Sequence, residues 1–325
     1  MSMSQSLKQP TEGFLSTDEQ KDPHPIECKN LWKIYGEAAD KSLSAIKSEG
    51  LSKQEVKDRF GCVIGVAGAS FKVSRGEIFC VMGLSGSGKS TLLRHINRLI
   101  EPTAGQVFIN GSDINRLDDS SLRRLRAEKI GMVFQNMALF PHRTIESNVA
   151  YGLEVRKVDK AQRNQAARRA LALVQLDGWE SHYPDELSGG MQQRVGLARA
   201  LAADPEILLM DEPFSALDPL IRRELQDEFL NLSARLKKTT IFITHDLDEA
   251  IRLGNTIAIM KDGLLVQIGT PEDIITKPAD DYVTKFVSGI SKLHLVHAHT
   301  VMYPLDFYKV HRPDEDFVTL TKVQA

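Results

Sequence analysis

The chain has 325 residues, with 41 Lys+Arg against 43 Asp+Glu. That near balance argues against a bulk nucleic-acid binder. A 42% hydrophobic and 26% charged composition is ordinary for a globular protein, and the length suits one domain of about 200–250 residues with appendages, or two small domains.

In chain order, residues 1–25 are rich in Ser, Gln, Lys, Pro and acids and read as a disordered tail. Met1 to Gln20 lacks the apolar centre of a signal peptide. A strand is predicted over Glu27–Tyr35, then an insertion over 37–65 holding two short helices. Asp40 is expected to cap the first and Gly50 to end it. Ser52-Lys53-Gln54-Glu55 is a capping box for the second, which Gly61 ends. Ala69, Phe71 and Val73 alternate as a strand. From Gly76 the pattern is α/β. Strands are predicted at Glu77–Met82, Gln106–Ile109, Lys129–Phe134, Glu206–Met210, Thr239–Thr244, Thr256–Met260 and Leu264–Ile268, with turns at Asn110-Gly111 and Asp262-Gly263. Helices fill the gaps, among them Lys160–Gln175 behind an Asp159 cap, and Pro219–Leu236. Residues 136–185 show no strand and read as a helical subdomain. No run of about 18 apolar residues exists, so any membrane role must come through a partner. Cys28, Cys62 and Cys80 lack metal-ligand spacing and read as buried or incidental thiols of a reducing compartment.

Gly83-Leu84-Ser85-Gly86-Ser87-Gly88-Lys89-Ser90-Thr91 fits G-x-x-x-x-G-K-[ST], between the apolar run Ile78–Met82 and the helical start Leu92–Ile96. Such a loop wraps backbone N–H groups around phosphates, and the helix N-terminus adds positive potential. Lys89 would reach the β/γ-phosphates of ATP, and the Ser90 hydroxyl would ligate Mg²⁺. The apolar run Ile207–Met210 ends in two acids, Asp211 and Glu212. Asp211 suits the Mg²⁺ site, and Glu212 the general base that polarises water.

Leu187-Ser188-Gly189-Gly190-Met191 opens another helix with a hydroxyl and free N–H groups, a second anion site. This segment resembles the LSGGQ signature of ATP-binding cassette (ABC) ATPases, with Met191 in the usual Gln place. The resemblance covers roughly residues 27–269. It implies an α/β P-loop NTPase of the ABC type, with an inserted helical subdomain and a small antiparallel β region. It also implies that Gln135 is the Q-loop residue touching Mg²⁺ and water, that Ser215-Ala216-Leu217-Asp218 is the D-loop, and that His245 is the switch histidine. Tyr35 lies where the family keeps an aromatic against adenine, with Trp32 its competitor. In the family two domains close head to tail, each ATP lying between one copy's P-loop and the other's signature, which implies a homodimer with two composite sites.

The stretches Lys29–Gly36, Gly50–Lys53, Asn97–Thr103 and Asp211–Arg222 are similar to the ATPase subunit of glycine betaine/proline uptake systems. The implied function is an importer ATPase for a quaternary amine or similar zwitterion: glycine betaine, proline betaine, choline or trimethylamine N-oxide. An importer for histidine or proline, or a non-transport soluble ABC ATPase, are the alternatives. The implied partners are two transmembrane permease subunits, met through the apolar loop 135–142, and a periplasmic or tethered substrate-binding protein, with the chain on the cytoplasmic face of the inner membrane. After the helix expected near 280–287 only about 38 residues remain, too few for the pair of cystathionine-β-synthase-type modules that many members carry. This tail has strand-like runs at Leu293–Val296 and Phe317–Leu320. Its His294, His297 and His299 alternate as on a half-exposed strand or a metal site.

Overall fold

A computed structural model describes residues 22–288, apart from Asn136, Ala216 and the side chain of Leu236. The readings made for residues 1–21 and 289–325, the three tail histidines included, lie outside it.

Two sheets share the core. A four-stranded antiparallel sheet has the order β2-β1-β4-β5, with β1 Ile26–Tyr35, β2 Val63–Val73, β4 Ala104–Ile109 and β5 Ser112–Asp113. A six-stranded sheet has the order β10-β9-β3-β8-β7-β6, with β3 Ile78–Met82, β6 Ile130–Val133, β7 Ile207–Asp211, β8 Thr239–Thr244, β9 Thr256–Lys261 and β10 Leu264–Gly269. Strands β6, β7, β8, β3 and β9 run parallel, and β10 closes the edge antiparallel to β9.

The central strands are buried on both faces, as a parallel sheet covered on both sides requires. Alternation then sorts their residues into two cores. Phe79, Val81, Ile207, Leu209, Ile241 and Ile243 face helix α3 (Lys89–Ile96) and the antiparallel sheet. Phe71 stacks on Phe79 at 5.0 Å to join the two sheets. Cys80, Met82, Leu208, Met210 and Phe242 face the opposite layer. There helices α5 (Ile145–Val155), α6 (Lys160–Leu173) and α7 (Gly189–Ala202) pack. Because β3, β6, β7 and β8 are parallel, the segments that follow them emerge at one edge of the sheet, where open α/β sheets bind ligands.

The insertion is a helix pair, α1 (Ala39–Glu49) and α2 (Lys53–Phe60), with its own small core of Ile34, Leu43, Val56, Cys62 and Ile64. Gly50 and Gly61 end the helices in the left-handed conformation, and the Ser52–Glu55 capping box is present. Four expectations need correction. Asp40 does not cap α1: the helix begins at Ala39, so Asp40 sits inside the first turn facing the helix dipole instead. The insertion ends before 65, because β2 starts at Val63, where Val63 and Ile64 pair with Tyr35 and Ile34. Gly65 and Gly68 interrupt the side-chain pattern and hide that half of the strand from periodicity. Helix α6 stops at Leu173, with Gln175 at φ 56°. Residues 22–25 are tied to the domain rather than belonging to a free tail: Arg75 N–H donates to the Pro23 carbonyl and Asn110 N–H to that of Pro25. All three cysteines are free and buried.

Candidate nucleotide-binding site

The P-loop runs from the end of β3 into α3, and two glycines let it nestle against neighbouring strands. Gly83 has φ 152° and Gly88 φ 104°. A Cβ on Gly83 would lie 2.1 Å from the Met260 carbonyl oxygen, and one on Gly88 2.1 Å from that of Gly65. No other residue fits these positions. The turn after β9 holds the loop from outside, with Gly263 N–H donating to the Ser87 carbonyl at 2.9 Å.

The loop walls a cavity of about 730 Å³ lined by Leu84, Ser85, Gly86, Gly88, Lys89, Ser90 and Thr91 on one side, and by Tyr35, Gln135, Glu212 and His245 around the rest. Gly83 and Ser87 belong to the loop but not to this lining. Lys89 is buried and donates to the carbonyls of Gly83 (2.8 Å) and Leu84 (3.1 Å). Burial lowers its pKa, opposed by the negative charges of Glu212 and Asp211. Ser90 Oγ donates to Asp211 Oδ1 at 2.8 Å. Asp211 is fully buried at the end of β7, and burial raises its pKa. Its Oδ2 is buried without a hydrogen-bond partner, with Arg94 Nη2 at 3.7 Å. An orphaned carboxylate oxygen beside a serine hydroxyl is the donor set that Mg²⁺ takes, so the residues present fit the ion.

Glu212 follows at φ 49°, an uncommon conformation for a non-glycine residue and one that gathers at functional sites. Its backbone is pinned: its N–H donates to Ile243 O at 3.1 Å, and its carbonyl accepts from Gln193 Nε2 at 3.1 Å and Ser215 Oγ at 3.0 Å. The side chain is thereby turned into the cavity, where Oε2 meets His245 Nδ1 at 3.1 Å and Gln135 Nε2 at 3.5 Å. His245 follows β8, and its loop is steadied by Glu249, which accepts from the Thr244 hydroxyl and from Gln226 Nε2 at 2.8 Å. Tyr35 is 40% exposed, and its hydroxyl lies 3.2 Å from Thr91 Oγ1. Trp32 is elsewhere: its Nε1 donates to Asn30 Oδ1, and it lines an adjoining cleft under the insertion that shares Lys53, Val63 and Ile64 with the cavity but not Tyr35 or the P-loop. Of the two aromatics, only Tyr35 reaches the P-loop.

Other expected residues are not brought to this cavity. Ser188 caps α7, its hydroxyl accepting from Met191 N–H at 3.3 Å. Ser188 and Gly189 are exposed, Gly190 and Met191 half-buried, and none lines the cavity. Leu187 is buried in the helical core. Of the second set, Ser215 is exposed, Leu217 is buried and Asp218 caps α8 (Pro219–Leu236), while Ala216 lies outside the described residues. Sequence reasoning missed Lys53, Val63, Ile64 and Gly65 in the cavity wall, and the supports Arg94 and Gln193. Helical spacing could have flagged Arg94, four residues beyond Ser90 on α3. Nothing local marks Lys53.

In the loop 135–142, the described residues from Met137 to Phe140 are firmly held. Arg199 donates to the carbonyls of Met137 and Ala138, and buried Asn148 bonds both backbone groups of Phe140, whose ring lies 4.6 Å from that of Tyr151. Among the described residues, no helix is long and apolar enough to cross a membrane.

A parallel α/β core, a glycine loop feeding a helix, and an acid pair at the end of β7 define a P-loop nucleotide-binding domain. A family model for the ABC transporter matches residues 66–215. The chain is 51% identical to the glycine betaine transport ATP-binding protein OpuAA of Bacillus subtilis (strain 168), over 95% of this chain and 73% of that protein. It is 54% identical to the glycine betaine/proline betaine transport system ATP-binding protein ProV of Escherichia coli (strain K12), over 82% of this chain and 66% of that one. It is 49% identical to the trimethylamine N-oxide transport system ATP-binding protein TmoW of Pelagibacter ubique (strain HTCC1062), over 82% and 78% of the two chains. Among solved structures, the dimeric post-hydrolysis ATP-binding cassette MJ0796 bound to ADP and Pi superposes with a TM-score of 0.65 at 32% identity, over 76% of this chain and 98% of that one. The chain belongs to the ABC transporter family, among its ATP-binding subunits.

Proposed function

We propose that this chain is the ATP-hydrolysing subunit of an importer that takes up a quaternary amine or a similar zwitterion, such as glycine betaine, proline betaine, choline or trimethylamine N-oxide. The observation that carries the ATPase reading is the convergence of Lys89, the Ser90–Asp211 pair and the Glu212–His245 pair in one cavity. The substrate class is supported by the relatives named for these amines.

In this reading Tyr35 packs against adenine, and the N–H groups of the loop from Gly83 to Thr91 enclose the phosphates. Lys89 exchanges its two carbonyl partners for phosphate oxygens, an exchange favoured by charge. Ser90, Asp211 and Gln135 would hold Mg²⁺, which when bound neutralises charge on the β- and γ-phosphates. Glu212 orients the attacking water and takes its proton, while His245, 3.1 Å from it, fixes the carboxylate and would contact the γ-phosphate.

The Ser188-Gly189-Gly190 terminus, exposed at Ser188 and Gly189, completes the site of a second copy, and that copy completes this one. The D-loops, Ser215 to Asp218, lie between the two copies. Two permease subunits would receive the loop 135–142 at the cytoplasmic face of the inner membrane, and a separate binding protein would deliver the amine. Residues 26–285 are the ATPase domain in this reading, and 286–325 a short extension. The test is ATPase activity of the chain with its permease subunits in liposomes, with binding protein loaded in turn with glycine betaine, choline, trimethylamine N-oxide or histidine. Stimulation by one amine is expected. Strong basal hydrolysis with no stimulation by any would refute the amine reading.

A further inference from the structure

The insertion reaches the nucleotide cavity through one residue. Lys53 is the first residue of α2 and lines that cavity together with Val63, Ile64 and Gly65 of β2. The backbone that carries it is fixed. Ser52 N–H and Oγ both donate to Glu55 Oε2 at 2.7 Å, and Val56, one turn on, is fully buried against β1 and β2. The side chain is held far less. Its Nζ lies 3.4 Å from Asp262 Oδ1, with the two side chains 40% and 62% exposed. Such an ion pair is weak and screened by solvent. Asp262 itself is anchored, since the turn it begins is bonded to both the P-loop and β2 through Gly263.

Charge gives this placement its meaning. Of the residues lining the cavity, two are lysines, Lys89 and Lys53. Lys89 stands at the phosphate end. Lys53 shares its wall of the cavity with Val63, Ile64 and Gly65, and the Gly65 carbonyl lies against Gly88 of the P-loop. A nucleoside triphosphate carries several negative charges, and a lysine held to one exposed aspartate can turn toward them at little cost.

We propose that Lys53 is a nucleotide-binding residue supplied by the insertion, leaving Asp262 to place its ammonium near the polyphosphate of a bound nucleotide. This rests on the reading of the cavity as an ATP site, and it assigns the insertion a role in that site. Lysine donates three hydrogen bonds and accepts none, so Lys53 adds affinity for charge rather than selection among bases.

The test is direct binding of ATP and of uncharged adenosine to the full chain, at low and high ionic strength, for the wild type, Lys53→Glu, Lys53→Arg and Lys89→Ala. Lys53→Glu is expected to weaken ATP binding by about tenfold at low salt and less at high salt, as charge reversal at a half-exposed site does. Adenosine binding should not change, and Lys53→Arg should bind ATP like the wild type. Unchanged ATP affinity in Lys53→Glu would overturn the proposal, as would an equal loss for adenosine or a salt-independent loss, each of which marks packing rather than charge. Lys89→Ala separates the two readings: if it keeps full ATP affinity the ATP site itself fails, and if it loses affinity while Lys53→Glu does not, only the role of Lys53 fails.

Discussion

Two helices of this chain begin in glycine- and serine-rich turns, and the fold gives them opposite surroundings. The N-terminus of α3 is enclosed: its loop touches β2 and β9, its lysine is buried and its serine is bonded to a buried aspartate. The N-terminus of α7 has the same elementary chemistry, a hydroxyl and free N–H groups, but Ser188 and Gly189 stand in solvent. A helix terminus attracts anions in either setting. Only the enclosed one has the Glu212 carboxylate and the bonded Ser90–Asp211 pair beside it. In the proposed dimer the exposed one would donate to another molecule's phosphates, so the difference would be between a site and a half-site.

The largest test removes the chemistry at the enclosed end. Glu212→Gln should keep ATP binding, lose about 10²–10⁴ in turnover and accumulate an ATP-bound dimer, read by phosphate release and sedimentation. Normal turnover would remove Glu212 as base. Ser188→Arg sharpens the contrast from the other side. It should leave ATP binding to the monomer intact yet lower turnover by about two to three orders of magnitude, the scale of losing aligned donors to a charged transition state. Unchanged turnover would make the α7 terminus an ordinary cap.

Smaller effects concern the α3 side alone. His95 on α3 is buried, and burial lowers its pKa to about 4. The folded state therefore resists a proton that the unfolded chain accepts below about pH 6.5. Stability is full above that pH and falls as pH drops toward 4, by about 3 kcal/mol at the limit. Denaturant unfolding at pH 7 and pH 5 should show the loss, and His95→Gln should flatten it. The smallest effect is at Asp211, whose pKa burial raises. A raised acid favours the folded state at low pH and loses that advantage as pH rises through the folded pKa. Asp211→Asn should thus raise the melting temperature of the nucleotide-free chain at pH 7, by about 1 kcal/mol in stability, while losing Mg²⁺-dependent turnover. A lower melting temperature would mean that Arg94 repays the buried charge.

Most of the fold was legible because its signals are local. The runs Ile78–Met82 and Thr239–Thr244 read as strands because each is long enough and apolar enough for nothing else. Gly50, Ser52 and Gly61 bracketed the insertion helices because cap chemistry acts within four residues. Failures came where contacts with distant residues decided. Ala39 opens α1 without a side-chain cap, and Val63–Gly68 became strand only by pairing with β1. At the candidate site, the P-loop and acid pair stood out as motifs, but the choice of Tyr35 over Trp32 needed the position of Thr91.

The sequence by itself determined the identities that matter to phosphate chemistry: glycines where a Cβ would strike a carbonyl, a lysine, a serine and two adjacent acids. Those choices are imposed at single positions, so they can be read there. Only the tertiary structure decided which of these groups meet. Parallel strands β3, β6, β7 and β8 deliver Lys89, Gln135, Glu212 and His245 to one cavity while α7 carries Ser188 away from it. Lys53 joins the cavity wall because α2 is seated on β2 by Val56. Strand order and helix docking arise from burial summed over many residues, and no single stretch of chain contains that sum.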